Sequence, residues 1–127
     1  MGVTIKWENE AQTLISYCFE GELTHDETYR ALDAGYAMLD AKPHRVDIVI
    51  DCRGITRVAN NLHALSGHIA KNRRPNVGIL VVITSNGLIK NIASLFMQLR
   101  PDMAPFCFVA DKQAAIAKIR DHRADHA

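Results

Sequence analysis

Six residues in the middle of the chain limit what it can fold into. Val46-Asp47-Ile48-Val49-Ile50-Asp51 is apolar at four of its six positions, all four β-branched, with Pro43 before it and Gly54 after it. Branched side chains favour extended backbone, and an apolar run closed by turn residues reads as a central strand covered on both faces. Such a strand needs a layer above and a layer below, which calls for an α/β architecture. Ligands and partners of open α/β sheets gather beyond the carboxyl ends of their strands. The loop expected from Asp51 to Arg57 is therefore the first place to look for function, with Asp51, Arg53, Thr56 and Arg57 as candidate residues.

The rest of the chain supplies the layers. Val3, Ile5 and Trp7 alternate with Thr4 and Lys6, and Thr13 to Phe19 alternates again after the polar Glu8–Gln12. This pattern predicts an opening hairpin. Thr24-His25-Asp26-Glu27 has the form of a capping box, in which Thr24 accepts from the amide of Glu27 and Glu27 reaches back to the amide of Thr24. The helix it opens carries Leu32, Tyr36 and Leu39 and stops before Pro43. Val58, Leu62, Leu65 and Ile69 predict a second helix over 58–72, with Asn60, Asn61 and His63 on its polar side. Val77 to Ile83 is a second buried strand, and Thr84-Ser85-Asn86 offers caps for a third helix over 87–99. In that helix Leu95, Phe96 and Met97 extend the apolar stripe. They serve either as a wide core face, with Met as filler, or as a self-association surface for a homodimer. Phe106 to Val109 is a short last strand, and Asp111 caps a final helix through Ile116 and Ile119. The expected order is ββαβαβαβα: one domain over 1–120 on a mixed sheet whose later strands are parallel, then a polar, frayed tail over 121–127.

Composition excludes several classes of function. The longest apolar run, Val77 to Ile83, is far shorter than the ~20 residues a membrane-spanning helix needs. The first residues lack the apolar core of a secretory signal, and Lys6 rules out a myristoylation motif at Gly2. Cys18, Cys52 and Cys107 form no CxxC pair and are odd in number, which fits a reducing cytoplasm. Residues 1–51 hold four Lys/Arg against ten Asp/Glu, whereas 52–101 holds seven Lys/Arg and no acid. The split points to a two-sided molecule and a partner of acidic character, or to scattered solvated charges. No aromatic residues are interleaved with the basic ones, so nucleic acid is not expected as a partner. The histidines show no metal-binding spacing apart from His122 and His126 in the tail, so no metal is expected. No phosphate-cradling glycine loop occurs and no cofactor is expected.

The Gly21-Glu22-Leu23-Thr24 turn opens the first helix, the apolar strand ends in Ile50-Asp51, and the next strand is Val77 to Thr84. The short final strand then runs into Asp111 and an Ala-rich helix. In this arrangement the chain resembles the STAS (SpoIIAA-like) domain of anti-sigma-factor antagonists and sulfate-transporter tails. The resemblance covers nearly the whole chain. It implies a regulatory protein-binding module whose contact surface is the loop after the third strand and the helix behind it. Phosphorylated members carry a Ser at the start of that helix, where this chain has Ala59, Asn60 and Asn61, with Thr56 and Ser66 nearby. The resemblance also reaches relatives of the CRAL-TRIO lipid-binding domains, which implies an apolar ligand as an alternative.

Three readings of the loop compete. In the first, Arg53, Arg57, Asn60, Asn61 and His63 form a protein- or anion-binding lip beside a helix N-terminus. The plain structural alternative pairs Asp51 with Arg53 or Arg57 and merely pins the loop. In the second, Cys52-Arg53-Gly54-Ile55-Thr56-Arg57 resembles the active loop of rhodanese sulfurtransferases, with Cys52 as nucleophile. Asp51 beside the thiol opposes its ionisation. A third reading, a phospho-acceptor receiver domain on Asp51, fails because no acidic pair follows the first strand at a strand-to-helix switch. The expectation is a non-enzymatic module for regulation and signalling.

Overall fold

A computed structural model describes residues 2–58, 74–87, 90, 91, 94 and 105–125, with backbone alone at Leu23, His25, Val58 and Phe106. Among the described residues five strands form one sheet in the order β1-β2-β3-β4-β5. They are β1 (Gly2–Trp7), β2 (Leu14–Leu23), β3 (Val46–Val58), β4 (Val77–Ile83) and β5 (Phe106–Val109). Helix α1 (His25–Asp40) follows β2, and α2 (Lys112–Asp125) follows β5. Strands β1 and β2 are antiparallel, and every later neighbour is parallel. The mixed α/β sheet expected from the sequence is therefore present, opening hairpin included.

The hairpin is closed by side chains. Asn9 Oδ1 accepts from the Thr13 amide at 3.0 Å, and Asn9 Nδ2 donates to Thr13 Oγ1 at 2.7 Å. Gln12 sits at φ 56°, the left-handed conformation the tight return requires. At α1, Thr24 Oγ1 accepts from the Glu27 amide at 3.3 Å, so half of the expected capping box forms. The Glu27 carboxylate does not complete it, because Oε2 is buried without a hydrogen-bond partner. The C-terminal end of α1 is held from afar: Asn76 Nδ2 donates to the carbonyls of Leu39 (3.0 Å), His44 (3.3 Å) and Lys42 (3.4 Å).

Register assigns the two faces of the sheet. Ile15, Tyr17 and Phe19 of β2 and Val46 and Ile48 of β3 pack with Ala31 and Leu39 of α1. On the opposite face Val49, Ile79, Val81 and Ile83 pack with Ala115 and Ile119 of α2. The central segment is thus covered on both faces as its composition requires. Burying one such aliphatic side chain contributes about 1.5–3 kcal/mol. Gly35 lets α1 approach β2, since a Cβ there would overlap the Tyr17 hydroxyl and lie 2.8 Å from Cζ.

Three boundaries differ from expectation, the first being that β2 runs past Phe19 to Leu23. The final helix continues through Asp125 and Arg123 bonds to the sheet, so 121–125 is not a frayed tail. Strand β3 runs 13 residues to Val58, so the expected loop is strand, as is the first residue of the expected second helix. The remainder of that helix, 59–72, lies outside the described residues. Of the expected third helix, Gly87, Lys90, Asn91 and Ser94 are helical, and the Lys90 amide donates to the Asn86 carbonyl at 3.1 Å.

Candidate functional site: the ribbon beyond the fourth strand

The last residue of β4, Ile83, pairs with Asp51. From Cys52 onward β3 continues beside β2, where Gly21, Glu22 and Leu23, expected as a turn, are strand. The pairing shifts register between Cys18 and Glu20 and again between Gly21 and Glu22. Such irregularities raise local twist and re-aim side chains. Two glycines make them possible. Gly21 adopts φ 76°, and a Cβ at Gly54 would come within 3.1 Å of the Phe19 carbonyl oxygen on the facing strand. The candidate residues therefore stand on a twisted two-stranded ribbon rooted in the core.

Asp51 and Arg53 are partners on this ribbon. Arg53 Nε lies 3.0 Å from Asp51 Oδ1 and its terminal nitrogen 2.8 Å from Oδ2, while the Arg53 amide donates to Oδ1 at 3.0 Å. This two-pronged pair holds the Asp51 carboxyl below its ordinary value of 3.8, against the opposing effect of partial burial. Of the two pairings weighed from the sequence, the one formed is with Arg53 rather than Arg57. Thr56 and Arg57 are exposed, and Arg57 stands across from Glu22 in the register. Glu20 faces Gly54. The ribbon thus carries Glu20, Glu22 and Asp51 beside Arg53 and Arg57. Among the described residues its charge is mixed. Asn60, Asn61 and His63, and the proposed self-association residues Leu95, Phe96 and Met97, lie outside the described residues.

The charge asymmetry of the sequence has another explanation in the fold. Arg74 grips Asp40 at 2.6 and 3.1 Å and lies over the Tyr36 ring, 4.9 Å from its centroid. Lys112 Nζ lies 2.8 Å from Glu8 Oε1, and Arg123 Nε 2.6 Å from Asp47 Oδ2. Cations from later in the chain are thus paired with acids from its first part, so the two-sided charge of the sequence is taken up in part within the molecule.

A second feature lies along the β1 edge of the sheet. Gly2, Val3 and Ile5 of β1 and Glu27, Arg30, Ala31 and Ala34 of α1 line a groove of about 410 Å³. In the sequence pattern Glu27 has a capping role and no other, so this groove carries no signal there.

No protein-family model matches the sequence, and no curated protein matches it. Among solved structures, the chain is similar to an uncharacterised protein of the DUF3478 family from Shewanella loihica with a SpoIIAA-like fold. The TM-score is 0.69 at 16% identity, over 91% of this chain and 92% of that one. The chain has a SpoIIAA-like fold. This is the architecture of the STAS domains it resembles, and architecture is what the likeness carries.

Within this SpoIIAA-like fold, Cys52 sits on a strand rather than in a cradle of loop amides. Burial, with Asp51 beside it, pushes the thiol up to about 12. Burial and the neighbouring Asp51 also raise Cys18, and burial raises Cys107. An activated thiol needs the opposite environment. Among the described residues no group of three His, Cys, Asp or Glu side chains is placed to hold a metal ion, and no helix is long and apolar enough to cross a membrane. The positions matching the phosphorylated Ser of STAS domains, 59–61, lie outside the described residues. Thr56, exposed on the ribbon, is the described hydroxyl nearest to them in sequence.

Proposed function

We propose that this SpoIIAA-like domain is a non-enzymatic regulatory module that binds another protein through the β2–β3 ribbon. The observation that carries this reading is the ribbon itself: β3 outruns β4 and presents Arg53, Thr56 and Arg57 to solvent on a base anchored in the core. Asp51 holds the Arg53 guanidinium, and Arg57, exposed on the same strand, is the cation that meets a carboxylate of the partner. The Asp51–Arg53 pair acts as a rigid spacer that keeps the ribbon's shape. Mixed charge favours specificity over bulk attraction, since a wrongly matched partner meets like charges. The raised Cys52 thiol supports the non-enzymatic half of the proposal, because too little thiolate is present for sulfur transfer.

The test is affinity capture from native lysate with the wild type and with the Arg53→Glu/Arg57→Glu double variant, both checked for an unchanged melting temperature. A protein retained by the wild type and lost from the variant is the expected result. Equal retention by both would rule out the ribbon. Thiosulfate sulfurtransferase turnover that disappears in Cys52→Ser would overturn the non-enzymatic reading.

A further inference from the structure

The groove between β1 and α1 unites three features that no part of the ribbon proposal uses. First, β1 is an edge strand of the described sheet, paired with β2 on one side. An edge strand offers a row of backbone donors and acceptors to any extended segment laid beside it, and natural proteins usually blunt or cover such edges. β1 is six residues long with Lys6 as its single charged side chain, which is little protection. Second, the groove floor is made of small and aliphatic groups: Val3, Ile5, Ala31 and Ala34. Ala31 and Ala34 leave room where larger helix residues would close the gap. Its volume of about 410 Å³ lies within the range of about 300–1,000 Å³ typical of ligand clefts. Third, Glu27 Oε2, in the groove wall, is buried and has no hydrogen-bond partner.

That last atom says what the groove takes. A buried acceptor without a donor is costly, and more so when charged, so a ligand that supplies the donor recovers that cost on binding. Three orphan features side by side (an open strand edge, an apolar slot and a carboxylate in its wall) match one kind of occupant. We infer that the β1–α1 groove binds an extended polypeptide segment, which adds to β1 as a further strand and inserts a lysine or arginine side chain against Glu27. Strand addition supplies main-chain hydrogen bonds, and the pocket between strand and helix reads one side chain in the alternating pattern. The aliphatic stem of the basic residue lies along Val3, Ile5 and the two alanines while its charged head meets the carboxylate. Asp26 on the same helix adds to the negative field, and Arg30 at the rim favours an acidic residue elsewhere in the segment.

The probe is an end-capped nonapeptide alternating threonine and valine around one central lysine, titrated into ¹⁵N-labelled protein. Amide shifts confined to Gly2–Trp7 and to the α1 residues 27–34 are expected. Replacing the lysine by norleucine, which leaves the protein untouched, should weaken binding at least about tenfold, as should Glu27→Gln in the protein. Unweakened binding of the norleucine peptide, shifts centred on Cys52–Arg57, or no binding at millimolar peptide would each overturn the inference. So would protection of β1 by a second copy of the chain, seen as a dimer by sedimentation. The Arg53→Glu/Arg57→Glu variant should bind the peptide as the wild type does, which separates this site from the ribbon.

Discussion

Arg123, near the end of the last helix, holds Asp47 on the central strand across 76 residues of sequence, with Nε 2.6 Å from Oδ2. Asp47 is 1% exposed. Its other oxygen accepts from the Ile79 amide at 2.9 Å and from Arg45 Nε at 3.4 Å. Arg123 also donates to the Thr13 carbonyl at 2.9 Å. One carboxylate thus ties β3, β4 and α2 together, and Gly78 makes the space, since a Cβ there would overlap both the carboxylate and the Arg45 guanidinium. Removing one member of a buried charge set leaves the others unpaired and costs several kcal/mol.

Asp47→Ala should therefore lower stability by about 3 kcal/mol, read as a drop in the urea midpoint at constant slope. Asp47→Asn keeps an acceptor for the Ile79 amide and should cost less. Arg123→Ala, whose side chain is 40% exposed, should cost about 1 kcal/mol, because water replaces part of what is lost. A neutral Asp47→Ala would mean that the carboxylate contributes nothing net to the fold.

Gly35 is a second position with a definite sign. On helix propensity alone Gly35→Ala would stabilise by ~1 kcal/mol. Against this, the new methyl would collide with the ring of Tyr17, which is 4% exposed and stacked on Phe19 at 6.1 Å. Overpacking of this kind costs typically ~1–3 kcal/mol, so the net effect should be destabilising. Adding Tyr17→Phe removes the overlapping oxygen and should restore part of the loss. An increase in melting temperature for Gly35→Ala alone would show that α1 lifts away from β2 at little cost.

These positions also show why parts of the molecule were legible in the sequence and others were not. The buried strand at Val46–Ile50, the hairpin, and the parallel strands at 77–83 and 106–109 follow from periodicity, which is a local property. The STAS resemblance pointed to the right architecture for the same reason. The continuation of β3 through Arg57 was illegible, because Cys52-Arg53-Gly54 carries loop residues and its strand character comes from pairing with Glu20–Leu23, itself polar and Gly-containing. Asp47 looked like a polar interruption of an apolar run, and only Arg45 and Arg123, converging in space, explain it. The Glu27 reading failed in half: the local bond to Thr24 forms, and tertiary packing beside β1 places the carboxylate elsewhere. The candidate residues Asp51, Arg53, Thr56 and Arg57 all lie on β3, and the pairing of Asp51 with Arg53 could not be told from pairing with Arg57 by spacing alone.

The thiol of Cys52 gives a prediction that is chemical rather than structural. With burial and Asp51 pushing it up to about 12, roughly one molecule in ten thousand carries the thiolate at pH 8. Iodoacetamide should modify Cys52 far more slowly than free cysteine, and denaturation should restore the ordinary rate. Peptide mapping of the alkylated protein against time distinguishes Cys52 from Cys18 and Cys107. Rapid native modification of Cys52 would mean that the strand opens to solvent there.

The ion pairs of Asp51 and Glu8 set the acid limb of stability. Arg53 lowers the Asp51 carboxyl below 3.8, and the hydrogen bond from Lys112 lowers Glu8 below 4.5 against partial burial. A carboxyl whose folded value is depressed adds stability above its unfolded value, and that contribution declines as pH falls through the folded one. The urea midpoint should therefore fall as pH is lowered from about 5 to about 3, and be insensitive to these two groups near neutrality. Lys112→Met should flatten that slope by returning Glu8 toward its ordinary range, and Arg53→Ala should do the same for Asp51. Carboxyl ¹³C titrations of each variant give the individual midpoints. An Asp51 midpoint unmoved in Arg53→Ala would show that the guanidinium does not hold the carboxylate in solution. Asp51 would then lose its role as the ribbon's spacer, and Arg53 would join Arg57 as a cation open to a partner.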